Sequence, residues 1–235
     1  MSESTTTKTI KKSTNDFEKK VSSNMIKFSI VALVLGVFFF VSNNAHASDV
    51  PTTTTENSVG AWTSLNVASE VLPGYEIQIE EEYRYNGADS SEAHTDISVG
   101  KKFNSWTAIA GYKNVLGEEH RPYFGVDIGL PNIAGFNTGF ITKFELRDLE
   151  ALRQRIGAYA QTDIAGFAPY VSNEVFLNIT DNGVNLVDKN RATLGVAKSL
   201  SDTYAVEAYY NLDSQFIGDT TNNISIVGLG LNIAL

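Results

Sequence analysis

Cysteine is absent from the 235 residues, proline occurs five times, histidine three times and arginine six times. Without cysteine there is no disulfide framework, no thiolate metal site and no cysteine nucleophile. Scarce proline leaves room for long uninterrupted strands, which proline would confine to edges or bulges. No apolar run reaches the roughly 20 residues of a spanning helix. What remains is 43% hydrophobic and only 19% charged, with thirteen phenylalanines and ten tyrosines, a composition unlike that of a disordered chain.

The longest apolar run is FSIVALVLGVFFFV, residues 28–41, which follows Lys27 and precedes Ala45-His46-Ala47. A basic flank, a short apolar stretch and small residues in an A-x-A arrangement predict a signal peptide over 25–47, cut after Ala47. Residues 1–24 form a polar leader, and either Met1 or Met25 is the start. Removing 1–47 takes away Lys8, Lys11, Lys12, Lys19, Lys20 and Lys27 but only Glu3, Asp16 and Glu18, leaving a net charge of −12. Such a surface disfavours nucleic acid and anionic lipid as electrostatic partners.

A threonine-rich lead-in at 48–58 precedes a chain of strands and turns. The candidate strands are 59–70, 74–86, 92–102, 105–114, 119–130, 136–147, 151–161, 168–180, 187–199, 202–213 and 222–235. Most have 10 to 14 residues, longer than the five or six usual in globular sheets and close to the length that crosses a bilayer at a tilt. Short breaks such as LPG (72–74) and NS (104–105) tend to alternate with longer polar ones such as NGADSSE (86–92) and DSQFIGDTTN (213–222). Outer-membrane barrels arrange periplasmic turns and external loops in that way.

Alternation within strands separates an apolar face from a polar one. In EIQIEEEYRYN (76–86), Glu76, Gln78, Glu80, Glu82 and Arg84 share one face, and Ile77, Ile79, Tyr83 and Tyr85 the other. Glu81 breaks the rule, and a bulge or a position near the membrane interface is expected there. All six arginines, Arg84, Arg121, Arg147, Arg153, Arg155 and Arg191, fall on polar faces of candidate strands. Asp127, Glu145, Glu174 and Glu207 share those faces. A soluble sandwich also alternates, but gathering both signs of charge on the polar faces of long strands fits the inside of a barrel, where the charges can pair away from lipid. These thirteen residues, with Glu76, Glu80 and Glu82 among them, are the expected lumen lining.

The segments EEEYRYN, WTAIAGYKNV, EEHRPYFGVDI, TKFELRDLEALRQRIGAY, PYVSNEVFLN and KNRATLGVAKSLSDTYAVEAYYN resemble an uncharacterised family of bacterial outer-membrane β-barrels, a domain of unknown function. The resemblance spans about Trp62 to Leu235. It rests most specifically on Glu119-x-Arg121-Pro122-Tyr123, on Arg153-x-Arg155, on Pro169-Tyr170 with Glu174 and Phe176, and on Asn190-Arg191 with Gly195 and Val196. It implies architecture and location, not chemistry. The expected fold is therefore all-β: a closed, antiparallel, up-and-down transmembrane barrel of ten to twelve strands over 59–235, with twelve taken as the closed solution if one strand is missing from the eleven segments. Such a chain is expected in the outer membrane, with the membrane lipid and the outer-membrane assembly machinery as partners. Its terminal Leu235 departs from the aromatic residue that commonly ends these barrels.

Catalytic chemistry finds little support. Once His46 leaves with the signal peptide, only His94 and His120 remain, and neither has triad spacing to a serine. Asp181-Asn182-Gly183 begins like a calcium loop but lacks the closing glutamate, so a tight turn is the better reading. No metal or cofactor is expected. The leading reading is a barrel with a narrow or plugged lumen that passes, if anything, small cations. An outer-membrane hydrolase acting on lipid or surface glycan, and a soluble periplasmic or secreted β-sandwich that binds a ligand, are the alternatives.

Overall fold

The computed structural model describes residues 54–85, 91–116, 119–147, 151–180, 183–217 and 220–235. The polar leader, the signal segment and the tip of the candidate calcium turn, Asp181-Asn182, lie outside the described residues. Eleven strands make up the fold: β1 Thr54–Leu72, β2 Tyr75–Tyr85, β3 Ser91–Lys102, β4 Trp106–Val115, β5 Glu119–Gly129, β6 Asn137–Arg147, β7 Ala151–Gln161, β8 Phe167–Thr180, β9 Gly183–Ser199, β10 Tyr204–Ile217 and β11 Thr220–Ala234. Each pairs with its sequence neighbours, and β1 closes onto β11 to complete the barrel.

Eleven strands fall within the expected ten to twelve, but the closure corrects the expectation of purely antiparallel pairing. An odd number of alternating strands brings the first and last together running the same way. The β1–β11 ladder is accordingly parallel over Thr54–Ala68, while the other ten ladders are antiparallel. The chain therefore enters the barrel at one mouth, beside Thr220, and leaves at the other, where the Leu235 amide donates to the Ala68 carbonyl. We call the mouth with Pro73-Gly74 and the ends of β3, β5, β7 and β9 the lower mouth, and the opposite one the upper mouth.

Short and long connections do not alternate as cleanly as the sequence suggests. Strand β1 begins at Thr54, so residues 54–58 of the expected lead-in are strand. Strands β8 to β11 run through most of the polar stretches around 180–185 and 213–222. These hairpins, with the start of β1, raise one side of the upper mouth.

At the lower mouth two hairpins share a turn: Asn132-Ile-Ala-Gly-Phe136 and Asp163-Ile-Ala-Gly-Phe167. In each, alanine and glycine both have positive φ, 57° and 91° for Ala134 and Gly135, 56° and 79° for Ala165 and Gly166. Two consecutive left-handed residues match the twist of flanking strands. The Asn132 and Asp163 side chains each accept the backbone N–H of the turn glycine, at 2.8 and 3.4 Å, the local bond that suits these residue types to turns.

The polarity of the barrel is inverted relative to a soluble protein. Large apolar side chains are exposed around the outside, among them Leu65, Ile79, Ile97, Val99, Phe124, Phe140, Leu194, Val227 and Leu229. Among the buried residues are His94, Lys113, Glu145, Arg153, Asn211 and Asp213. Near the lower mouth the outer face carries aromatics and lysines: Phe103 stacks on Trp106 at 4.0 Å, Lys101 Nζ lies 3.7 Å from the Tyr75 ring centre, and Lys198 Nζ lies 4.7 Å from that of Phe167.

Strand β2 carries Glu81 outward without a bulge. Its ladders to β1 and β3 are continuous at that residue, and the one register shift lies at Glu70/Leu72. The carboxylate is exposed and accepts a 3.0 Å bond from the Thr95 hydroxyl. Thr95 pairs in register with Asn114, and Asn114 with His120, so four polar residues cross β2 to β5 in one row. Because β4 ends beside Asn114 and β5 begins beside His120, the row rises from Glu81 to the upper mouth.

Candidate functional site

Inside the barrel, period two brings charges of opposite sign onto neighbouring strands. On β2 and β5 the two-residue spacing Glu-x-Arg puts Glu82 beside Arg84 and Glu119 beside Arg121, and both are ion pairs. Glu119 also accepts Arg147 from β6. The most connected group lies on β6 to β8. Glu145 accepts Arg153 Nε at 3.0 Å through one oxygen and Arg155 Nη1 at 2.6 Å through the other. The remaining edge of Arg155 forks onto Glu174, with both bonds at 2.9 Å. Such bidentate geometry is the strong form of an arginine–carboxylate contact. On β9 and β10, Arg191 forks onto Asp213 at 2.7 and 2.9 Å, and Lys189 adds a third contact at 3.3 Å.

Two aromatic rings organise these cations. Phe176, 2% exposed, has Arg153, Arg155, Lys189 and Arg191 around it at 5.2, 5.0, 4.6 and 5.7 Å from its ring centre. Trp62, on β1, meets Arg84 at 4.0 Å and Arg191 at 4.5 Å. Strands β1 and β9 are not neighbours in the sheet, so the Trp62–Arg191 contact spans the interior. These cation–π contacts and the ion pairs fill the middle and upper interior.

Among the described residues, three of the interior cavities bear on the charged groups. One of about 430 Å³ lies toward the lower mouth and reaches the exposed Gln161; its charged lining is Glu80, Glu82, Glu174 and Glu207 against Arg191. One of about 290 Å³ lies toward the upper mouth, with eight lysines and arginines facing it against five carboxylates. A third of about 280 Å³ sits between β2 and β6. Glu80 borders all three and enters no hydrogen bond or ion pair among the described residues.

Tyrosines shape the lower interior. Tyr123, Tyr159, Tyr170 and Tyr209 each lie over the glycine directly opposite on the next strand: Gly111, Gly139, Gly195 and Gly228. A Cβ at any of these glycines would come within 2.0–2.4 Å of the ring. The absent side chain is therefore what lets the ring lie flat on the wall. Three of the phenols then donate to carboxylates: Tyr123 to Asp96 at 2.6 Å, Tyr159 to Asp127 at 3.1 Å and Tyr170 to Glu207 at 3.3 Å.

Of the residues singled out in the sequence, Glu82, Arg84, Arg121, Glu145, Arg147, Arg153, Arg155, Glu174 and Arg191 meet in these ion pairs. Asp127 and Glu207 are held by tyrosines, and Glu76 pairs with Lys102 at 2.7 Å near the lower mouth. Asp213, Trp62, Phe176, Lys113, Lys143 and Lys189 belong to the same interior and were not in that set. Carrying the alternation of β10 two residues past Asn211 would have found Asp213.

The chain belongs to the DUF2490 family. The family model, described as a protein of unknown function, matches residues 59–223, from β1 into β11. Membership in DUF2490 assigns no chemistry to these residues. No curated protein matches the chain significantly. His94, buried on β3, meets Glu92 at 2.9 Å inside the barrel, whereas His120 meets Tyr112 at 2.5 Å on the outer face. The two imidazoles lie on opposite sides of the wall and cannot share a reaction. Among the described residues no three His, Asp or Glu side chains converge to hold a metal ion.

Proposed function

We propose that this DUF2490 chain is an exported outer-membrane β-barrel with a narrow lumen, closed at mid-height by ion pairs. The observation that carries the reading is the inverted polarity: leucine, valine, isoleucine and aromatic side chains exposed around the wall, with arginine–carboxylate pairs enclosed by it. In water that arrangement would be costly, since each exposed apolar Å² forgoes about 25 cal/mol. In a bilayer it is the expected one, because closed strands satisfy every backbone group and place apolar side chains toward lipid. Aromatics with lysines near the lower mouth fit a membrane–water boundary.

Two features bear on the reading from the other side. Bacterial single-chain barrels have even strand numbers, yet odd-stranded membrane barrels are known outside bacteria. Glu81 faces outward four residues below Tyr85, roughly 10 Å down a tilted strand. The polar row leading from it to the upper mouth gives water and headgroups a path to the carboxylate, which is how a membrane accommodates an ionised group on its lipid face.

The lumen is blocked to large solutes by Phe176, Trp62 and the guanidinium groups around them. The lower vestibule, with four carboxylates to one arginine, admits small cations in preference to anions. Extraction only by detergent from outer membranes, together with heat-modifiable gel migration, is the expected outcome of fractionation; recovery in the soluble fraction refutes the assignment. In planar bilayers the expected record is small, cation-preferring steps, and porin-sized or anion-selective currents exclude a plugged, acidic vestibule.

A further inference from the structure

We infer that the lower vestibule is a binding site for an organic cation, an ammonium group on a small carbon skeleton. The inference deepens the proposed lumen reading and rests on it, but not on the membrane location. Glu80 and Glu207 both line this cavity and neither makes a salt bridge among the described residues; the basic side chains that act on Glu80 are Lys113 and Lys143, which line the neighbouring cavities. The direct neighbours in the ladders are Asn66 and Asp96 for Glu80, Gly230 and Ala197 for Glu207. No basic side chain stands directly opposite either carboxylate on the adjacent strands. Glu207 accepts only the Tyr170 hydroxyl, and Glu80 accepts nothing among the described residues.

The rest of the wall suits the same ligand. Tyr159, Tyr170 and Tyr209 line the cavity, and each has one ring face held against a glycine so that it cannot retract. Rings fixed in this way, beside unpaired carboxylates, are the recognition chemistry of ammonium groups, which are drawn both to the negative face of an aromatic ring and to the carboxylate. A divalent metal ion is a poorer fit, because its oxygen ligands must converge, and here no three do so among the described residues. The volume of about 430 Å³ lies within the usual size of small-molecule sites.

The test uses the purified barrel in detergent, carrying Trp106→Phe so that Trp62 at the cavity boundary is the sole tryptophan. Choline is titrated at constant ionic strength, with glycerol and magnesium chloride as separate controls. The expected result is a saturable change in fluorescence with choline alone, its midpoint raised about tenfold by Glu207→Gln and again by Glu80→Gln. No saturable response to choline, an equal response to magnesium or glycerol, or a midpoint unmoved in the Glu80→Gln/Glu207→Gln double variant overturns the inference. Heat-modifiable migration of every variant shows that the barrel is folded, so a lost response reports the site. A negative titration leaves the outer-membrane assignment standing, and that assignment fails only in the fractionation.

Discussion

Replacing Glu145 by glutamine should destabilise the barrel by about 3 kcal/mol, the lower end of the range for removing one partner of a buried ion pair. Glu145 is 2% exposed and serves Arg153 through one oxygen and Arg155 through the other. Arg155 would keep its fork onto Glu174, whereas Arg153, 7% exposed, would keep only Asp188 at 3.9 Å. Most of the loss is thus the cost of leaving the Arg153 guanidinium enclosed without a full counter-charge. Glutamine can still accept a hydrogen bond, which holds the estimate at the lower end. The measurement is urea unfolding of the barrel refolded into lipid vesicles, followed by tryptophan fluorescence, with an unchanged denaturant slope as the sign that two variants are comparable. Arg153→Met and the double variant complete a thermodynamic cycle. A coupling of about 2 kcal/mol is expected, and additivity within about 0.5 kcal/mol would refute the claim that these two residues form one unit.

Glu81→Leu should raise stability in vesicles by about 1 kcal/mol, less than the roughly 2–4 kcal/mol that a basic residue costs at mid-bilayer; destabilisation would show that the carboxylate holds the wall through Thr95. Gly125→Ala should cost more than Gly228→Ala. The new Cβ at 125 meets the Thr142 carbonyl at 2.3 Å, and backbone cannot move aside, whereas at 228 it meets the Tyr209 ring, which cannot retract into the wall but can be pushed off it toward the adjoining cavity. The expected losses are about 3 and 1 kcal/mol, and the reverse order in urea unfolding would contradict the packing argument. Phe176→Ala should increase single-channel conductance, because the ring around which four cations gather is removed; an unchanged conductance would place the constriction elsewhere.

Much of the wall was readable from alternation because period two needs no knowledge of pairing. Glu76 to Arg84 could be sorted into faces directly, as could the arginines of the other strands. Closure is different in kind. Eleven segments were visible, but nothing local to β1 or β11 tells which partner each will find, so the parallel seam could not be read. The start of β1 was hidden by composition, since a run of threonines reads as a linker although threonine is β-branched and favours strands. At Glu81, where a bulge or a position near the membrane interface is expected, the strand is regular and the Thr95 hydroxyl donates to the carboxylate. The tyrosine–glycine pairs left a trace in the sequence, glycines on otherwise polar faces, but their partners could be named only with the register known. The repeated IAGF turn was present in plain letters, with Asn132 and Asp163 at equivalent places, and a search for short internal repeats would have found it.

The parallel seam also bears on the order of assembly. Contacts within a hairpin such as Thr95 with Glu81 close 14 residues, whereas Asn66 with Asn232 closes 166. Chain-entropy scaling makes the second loop costlier by about 2 kcal/mol before any bond is counted, and parallel pairing returns slightly less per residue than antiparallel. On chain entropy the seam is expected to close after the hairpins. A factor that speeds barrel formation would then be expected to act by bringing the first and last strands together, since the hairpins between them form from near neighbours in the chain.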